Sequence, residues 1–166
     1  MATDPFRLRV LKALTARLQT ITPDNGYKYD LSESVFRGRL MFGDDDPIPL
    51  VSVLEAPLPE EPSLTPPAGP TWKGSWELYI QGWVDDDKDN PTDPAHYLMA
   101  DVKKALAEER KAMIRTNNLF GQGGRVLDLR IGGSVVRPAE EYVSSYANFM
   151  LAITIEIAEN MDDPYA

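Results

Sequence analysis

Cysteine is absent from this chain, and its 166 residues contain a single histidine and no long apolar run. Without cysteine there is no disulfide framework, no thiolate nucleophile and no cysteine-ligated metal. A membrane-spanning helix needs about 18 or more consecutive apolar residues, and no run approaches that length. Arg7, Arg9 and Lys12 interrupt the apolar residues of the N-terminal segment, which therefore lacks the core of a secretory signal. We expect a soluble protein that is made in the cytosol and does not bind membranes.

Positive charge is also scarce. The chain has 17 lysines and arginines against 26 aspartates and glutamates, which gives a net charge of −9. The protein as a whole is therefore repelled by nucleic acid and by anionic membrane surfaces. The hydrophobic fraction is 43%, as in ordinary folded proteins. A chain of this length fits one domain, residues 1–166, with a substantial core.

The residue patterns that carry catalysis are missing. His96, the only histidine, lies near the start of a predicted helix without an obvious nucleophile, and no serine stands in a Gly-x-Ser-x-Gly motif. The glycine-rich stretch 121–124 is followed neither by a Lys-Ser/Thr pair nor by a helix, so it does not predict a phosphate site. We predict no enzymatic activity and no cofactor.

The acidic run 85–89 has the alternate aspartates of a calcium loop. The motif then fails, because Asn90 stands at the glycine position and His96 at the position of the bidentate glutamate. A strand, not a helix, leads into the run. The interpretation is a solvated turn or an electrostatic contact surface, with no bound metal.

Apolar periodicity predicts an α+β fold, with two helices packed on a mixed, mainly antiparallel sheet in the order helix, strand, strand, proline-rich arm, strand, helix, strand, strand. Asp-Pro pairs at positions 4–5 and 93–94 predict the caps and first residues of the two helices. The predicted helices and strands are Pro5–Thr20, Ser34–Phe42, Leu50–Glu55, Trp72–Val84, a helix from Asp93, Val126–Ile131 and Tyr146–Ala158. Gly132-Gly133 predicts a bulge or tight turn before Val135. The polar tail after Asn160 is expected to fray.

Several residues are candidates for contacts between subunits. The arm, at about 56–71, holds six of the 14 prolines and is a candidate for binding a partner. Basic side chains on the first predicted helix and on the first predicted strand, Ser34–Phe42, could meet an acidic loop of a neighbouring copy. Trp83, beside Tyr79 on the polar face of its strand, is predicted to be an exposed anchor. The candidates are Arg7, Arg9, Arg37, Arg39, Pro57, Pro66, Tyr79, Trp83, Asp85, Asp86 and Asp87.

Three passages, PIPLVSVLEAP, WELYIQGWVDDD and DPAHYLMADVKKALAE, together with the first helix FRLRVLKALTARLQTI, resemble the tail terminator proteins of long-tailed bacteriophages. These proteins are also called tail completion or minor tail proteins. The resemblance covers about two thirds of the chain, and its motifs are loose patterns. The proline arm is longer than the resemblance leads us to expect.

The resemblance implies a structural virion protein at the head-proximal end of the tail, assembled in the host cytoplasm. Its partners would be further copies of itself in a ring, usually a hexamer, the tail tube protein and the head-tail connector protein. The ring would cap the tube and stop its growth, and DNA would pass through it only as cargo. The alternatives are another neck or tail-tube-like protein, a bacterial protein of a phage-derived machine, and a small ligand-binding domain or enzyme.

Overall fold

The computed structural model describes residues 3–57, 69–140 and 145–166 as a five-stranded sheet with two helices packed on it. The predicted α+β class, the mainly antiparallel sheet and the order of elements are confirmed. The elements are α1 Phe6–Gln19, β1 Val35–Arg37, β2 Leu50–Glu55, β3 Thr71–Val84, α2 Asp93–Thr116, β4 Val126–Arg137 and β5 Ala147–Asn160.

The strands lie in the order β1-β2-β3-β5-β4, so that β1 and β4 form the two edges of the sheet. β1 runs parallel to β2, and all other neighbours are antiparallel. β3 and β5 pair over their whole length, from Thr71 opposite Asn160 to Val84 opposite Ala147. These two strands, 14 residues each, are the centre of the fold.

The core lies between the helices and one face of the sheet. α1 contributes its predicted stripe, every member of which is fully buried: Phe6, Val10, Leu14, Leu18 and the following Ile21. α2 contributes Leu98, Val102, Ala105 and Leu106, also fully buried. β5 alternates as predicted, with Phe149, Leu151, Ile153, Ile155 and Ile157 inside. The apolar residues that recur with the helical period of 3.6 and the strand period of 2 are therefore the residues that form the core.

Both helices begin one residue away from the predicted start. Pro5 is itself the N-cap of α1, and Thr92 is the N-cap of α2, and neither makes a side-chain capping bond. Asp93 instead occupies the first turn of α2, where its negative charge interacts favourably with the positive end of the helix dipole. α2 extends to Thr116 and ends where Asn117 adopts a left-handed conformation with φ 48°.

The predicted strand Ser34–Phe42 is wrong in its second half, because β1 ends at Arg37. Gly38 has φ 72° and turns the chain out of the strand, and its N–H still donates to the carbonyl of Val53 at 2.9 Å. The Arg39 N–H then donates to Oγ of Ser52 at 3.0 Å. The segment 38–49 therefore folds over the face of the sheet that the helices leave open.

β4 has the predicted bulge at Gly132-Gly133, where its register with β5 shifts between Ile131 and Ser134. A second shift, between Val126 and Asp128, was not predicted. It reverses the alternation there, so Val126 is buried while Leu127 is 41% exposed. Leu127 and Leu129, which strict alternation would place on one face, therefore lie on opposite faces of the sheet.

The tail after Asn160 was predicted to fray, but the structure shows it held by hydrogen bonds. The N–H of Phe6 donates to the carbonyl of Pro164 at 2.8 Å, and the N–H of Met161 donates to the carbonyl of Pro70 at 2.7 Å. The first amides of α1 have no acceptor within the helix, and the tail supplies one. Residues 161–166 are thus docked against the start of α1.

Candidate interaction surfaces

Arg7 is held within the molecule rather than offered as part of a free basic patch. Its Nε donates to Oε2 of Glu159 on β5 at 2.9 Å. Its guanidinium also lies 5.1 Å from the ring centre of Trp76 and 5.7 Å from that of Trp72. Arg7 therefore ties α1 to the start of β3 and to the end of β5.

Arg9 binds the docked tail. It donates to the carbonyl oxygens of Tyr165 at 2.8 Å and Ala166 at 2.6 Å, and its Nε reaches Oε1 of Gln122 at 3.2 Å. The remaining basic residues of α1 also have acidic neighbours, with Lys12 2.6 Å from Asp4 and Arg17 3.3 Å from Glu109. Most of the basic side chains of α1 are therefore paired with groups of the same chain.

Arg37 and Arg39 also make their contacts within the chain, Arg37 with α1 and Arg39 with the segment that follows β1. Arg37 donates to Oγ1 of Thr15 on α1 at 2.9 Å. Arg39 pairs with Asp46 at 2.5 Å, and its guanidinium lies 3.7 Å from the ring centre of Phe36. The N–H of Gly43 and the Arg39 guanidinium both bond the Asp46 carboxylate and hold its pKa below the usual value. Contacts of Asp46 with Arg39 and Gly43 thus hold segment 38–49 in a compact loop.

The prediction of Trp83 as an exposed anchor is wrong about its exposure, because the side chain is only 3% exposed. The ring of Phe42 covers it with an edge-to-face contact at 5.6 Å, and Phe42 makes a second such contact with Tyr146 at 4.9 Å. The strand pattern placed Trp83 on the correct face. It could not reveal that segment 38–49 folds over that face.

Tyr79 lies on the same face of β3 and is half-buried. Its hydroxyl donates to Oε1 of Glu77 at 3.0 Å. Pro57 is exposed in a bend just after β2. Pro66 and most of the predicted arm at 56–71 lie outside the described residues, so its role as a partner-binding element stays a prediction.

The acidic loop, residues 85–90, is exposed throughout and connects β3 to α2. Oδ1 of Asp87 accepts from the N–H groups of Asp89 at 2.9 Å and Asn90 at 2.7 Å, which closes a local turn. Asp85 and Asp86 face solvent. Within the three described ranges, no cluster of three or more histidine, aspartate or glutamate side chains is arranged to hold a metal ion.

A surface that the sequence did not predict lies where the end of α2 passes the free edge of the sheet. We call it the α2–β4 groove, and it is lined by Ala107, Arg110, Lys111, Ile114, Leu129, Arg130 and Ile131. Ile114 is 76% exposed and Ile131 39%. The buried stripe of α2 ends at Leu106, and two further helical turns along the same side of the helix lead to Ile114.

A second unpredicted surface is the apolar tip of segment 38–49. Leu40 is 71% exposed and Met41 69%, because the chain leaves the predicted strand at Gly38. We call these two residues, with the exposed Asp44 and Asp45 that follow, the 40–45 knob. Adjacent large apolar side chains with such exposure are typical of contact surfaces.

Neither a scan against protein-family models nor a search of curated proteins finds a match to this chain. No helix in the described part of the chain is both long and apolar enough to cross a membrane.

Proposed function

We propose that this chain is a structural virion protein that forms a ring on the end of a phage tail tube, ends tube polymerisation and provides the tail-side interface for head joining. The observation that carries the proposal is how the three passages of the resemblance lie in space. They form β2, β3 with the acidic loop after it, and α2. β2 pairs with β3, and α2 packs on β3, so the resembling passages make one contiguous unit.

The distribution of exposed apolar residues supports a role in assembly. Leu127, Ile131 and Val135, each between 39% and 44% exposed, follow one another along the edge strand β4. A long edge strand with unpaired backbone groups and apolar side chains readily associates with another chain. The ring would consist of copies of this chain, in a hexamer as the resemblance implies, and would bind the tail tube protein on one face and the connector protein on the other.

The acidic loop supports the further proposal that DNA passes the ring without binding to it. Asp85, Asp86, Asp87 and Asp89 outnumber Lys88 in an exposed turn. Carboxylates that line a pore repel the phosphates of the passing duplex. The loop would then face the lumen of the ring at the head-proximal end of the tail.

The proposal is tested by adding the purified chain to tail tube subunits while they polymerise. We expect short tubes of arrested length, with ring-shaped density at one end in electron micrographs. Binding along the sides of the tubes, or tubes that grow as long as they do without the chain, would count against termination. A tube-like subunit would instead enter the tubes along their length, which separates that alternative.

A further inference from the structure

We propose that the 40–45 knob of one copy of this chain docks into the α2–β4 groove of a second copy. The inference rests on the proposed function, because it names the contact that would join neighbouring subunits of the proposed ring. Each surface is exposed in the folded chain, and the two differ in chemistry in complementary ways.

The apolar parts of the two surfaces match. The groove offers Ile114 and Ile131 beside the buried Leu129, and the knob presents Leu40 and Met41. Ile114, Leu40 and Met41 are each more than two thirds exposed, at 76%, 71% and 69%. Covering them together removes apolar surface from water on both partners, which is the main favourable contribution to association.

On the groove side, the charges left after internal pairing are positive. Arg110 is 3.1 Å from Asp128, and Arg130 pairs with Glu156, so these two arginines are compensated within the chain. Lys111 and Arg115 lie one turn apart on the exposed side of α2, and within the described residues neither forms an ion pair. The groove therefore has one uncompensated positive charge in its lining, Lys111, and Arg115 adds a second on the adjacent exposed turn of α2.

On the knob side, the remaining charges are negative. Asp46 is taken up by Arg39 at 2.5 Å. Asp44 and Asp45 are exposed and, in the part of the chain that the structure describes, form no ion pair. The knob thus brings two carboxylates directly after its apolar tip. Two negative charges meet two positive ones, and such complementarity fixes the partner and the register.

The two surfaces cannot meet within one chain. The knob arises from segment 38–49, which follows the edge strand β1, and the groove lies on the opposite edge strand β4. Four strand spacings separate these edges, about 19 Å in all. The knob also lies on the open face of the sheet, whereas α2 covers the other face. The contact therefore joins two different surfaces of neighbouring copies, and when it is made head to tail it closes into a ring if its rotation permits.

Cysteine cross-linking tests the contact directly, because the chain has no cysteine of its own. Met41→Cys and Ile114→Cys are made together in one chain and oxidised under mild conditions. We expect a ladder of cross-linked oligomers on a non-reducing gel. Each single variant should give at most a trace of dimer, because a 41–41 or 114–114 pair is not brought together. Met41→Cys with Met161→Cys is the matched control, since Met161 is also exposed, at 52%, but lies in the docked tail.

Charge exchange tests the pairing independently. Lys111→Glu with Arg115→Glu, and separately Asp44→Lys with Asp45→Lys, should each weaken self-association about tenfold or more in sedimentation experiments. Mixing the two variants should restore association, because alternating copies then present opposite charges at every contact. Circular dichroism melting curves identify any variant that fails to fold, and Ile114→Ser then replaces it as the test of the groove.

Two results would overturn the inference. One is association that persists in both charge variants without 41–114 cross-links, which would leave the proposed ring but assign it another contact. The other is a chain that stays monomeric at its highest soluble concentration and gives no cross-link on assembled tails. If tails also reach their normal length without the chain, the proposed function fails as well, so the two failures are distinguishable.

Discussion

Arg7 and Glu159 are 152 residues apart in the chain, yet Nε of Arg7 lies 2.9 Å from Oε2 of Glu159. The Glu159 side chain is only 12% exposed, so this ion pair is shielded from solvent on one side. It joins the first turn of α1 to the C-terminal end of β5, one of the two central strands. Arg7, a candidate for contacts between subunits in the sequence, therefore makes these contacts within its own chain.

The first prediction concerns this ion pair. Arg7→Ala should lower the free energy of unfolding by about 2 kcal/mol, because it leaves the shielded Glu159 carboxylate without its donor. Urea unfolding of the purified variant measures this. Lys12→Ala is the matched control, since the Lys12 side chain is 50% exposed and its pair with Asp4 should contribute less than about 1 kcal/mol. Equal losses in the two variants would contradict the structural role of Arg7.

The second prediction compares two glycines of β3. A Cβ at Gly82 would lie 2.3 Å from the ring of Phe149, which is fully buried. A Cβ at Gly74 would lie equally close, at 2.3 Å, to the ring of Trp72, but that ring is partly exposed and has room to move. Gly82→Ala should cost about 1–3 kcal/mol through overpacking, and Gly74→Ala clearly less. Thermal unfolding of the two variants checks the order, and a larger loss for Gly74→Ala would contradict it.

The third prediction concerns alkaline pH. Burial, together with the hydrogen bond to Glu108, raises the pKa of Tyr27 from 10.0 to about 12. Between these values the unfolded chain loses the phenolic proton while the folded chain keeps it, so the stability contributed by Tyr27 is present below pH 10 and is lost as pH rises toward 12.

Tyr27→Phe should therefore flatten the fall in unfolding free energy over that pH range. Urea unfolding of both proteins at a series of pH values gives the comparison. A wild-type curve that falls no more steeply than that of Tyr27→Phe would refute the assignment. Tyr165→Phe is a suitable control, because that side chain is 54% exposed.

The fourth prediction concerns the acidic loop. Replacing Asp85 and Asp86 by lysine should leave thermal stability nearly unchanged, because both side chains are exposed and Asp87 alone closes the turn. If the loop lines the pore, the same change should slow DNA passage, because the lysines attract phosphate. Particle titre and DNA ejection kinetics measure this, with Asp162→Lys in the exposed tail as the control. Reversing the charge of Asp85, Asp86 and Asp87 together without effect on assembly or DNA passage would refute the hypothesis.

The fifth prediction concerns Trp83. Because Phe42 covers this side chain, Trp83→Ala should destabilise the monomer by about 3–5 kcal/mol. An exposed interface anchor would instead leave the monomer intact and weaken only assembly. Chemical unfolding of the isolated chain distinguishes the two roles.

The elements that sequence predicted best are those with a long apolar period. α1, β2, β3 and β5 were located within about two residues because a regular apolar period runs through each of them. β1 was predicted too long because its end depends on the left-handed conformation of Gly38. Glycine adopts positive and negative φ about equally well, so a glycine in the sequence does not by itself show where a strand ends.

The interaction surfaces were predicted less well than the fold, for a physical reason. Whether a basic side chain is free depends on acids far away in the sequence, as for Arg7 and Glu159, or on a docked tail, as for Arg9. The burial of Trp83 likewise depends on a loop that arrives from β1. Local patterns predict which face a residue lies on, but not what folds over that face.

The central claim, that this chain ends the growth of a phage tail tube, is tested most directly by measuring tube lengths in electron micrographs of tails assembled with and without it. The account predicts tubes of one uniform length when the chain is present, and tubes of variable and excessive length that fail to join heads when it is absent. Tubes of normal length that join heads in its absence would contradict the account.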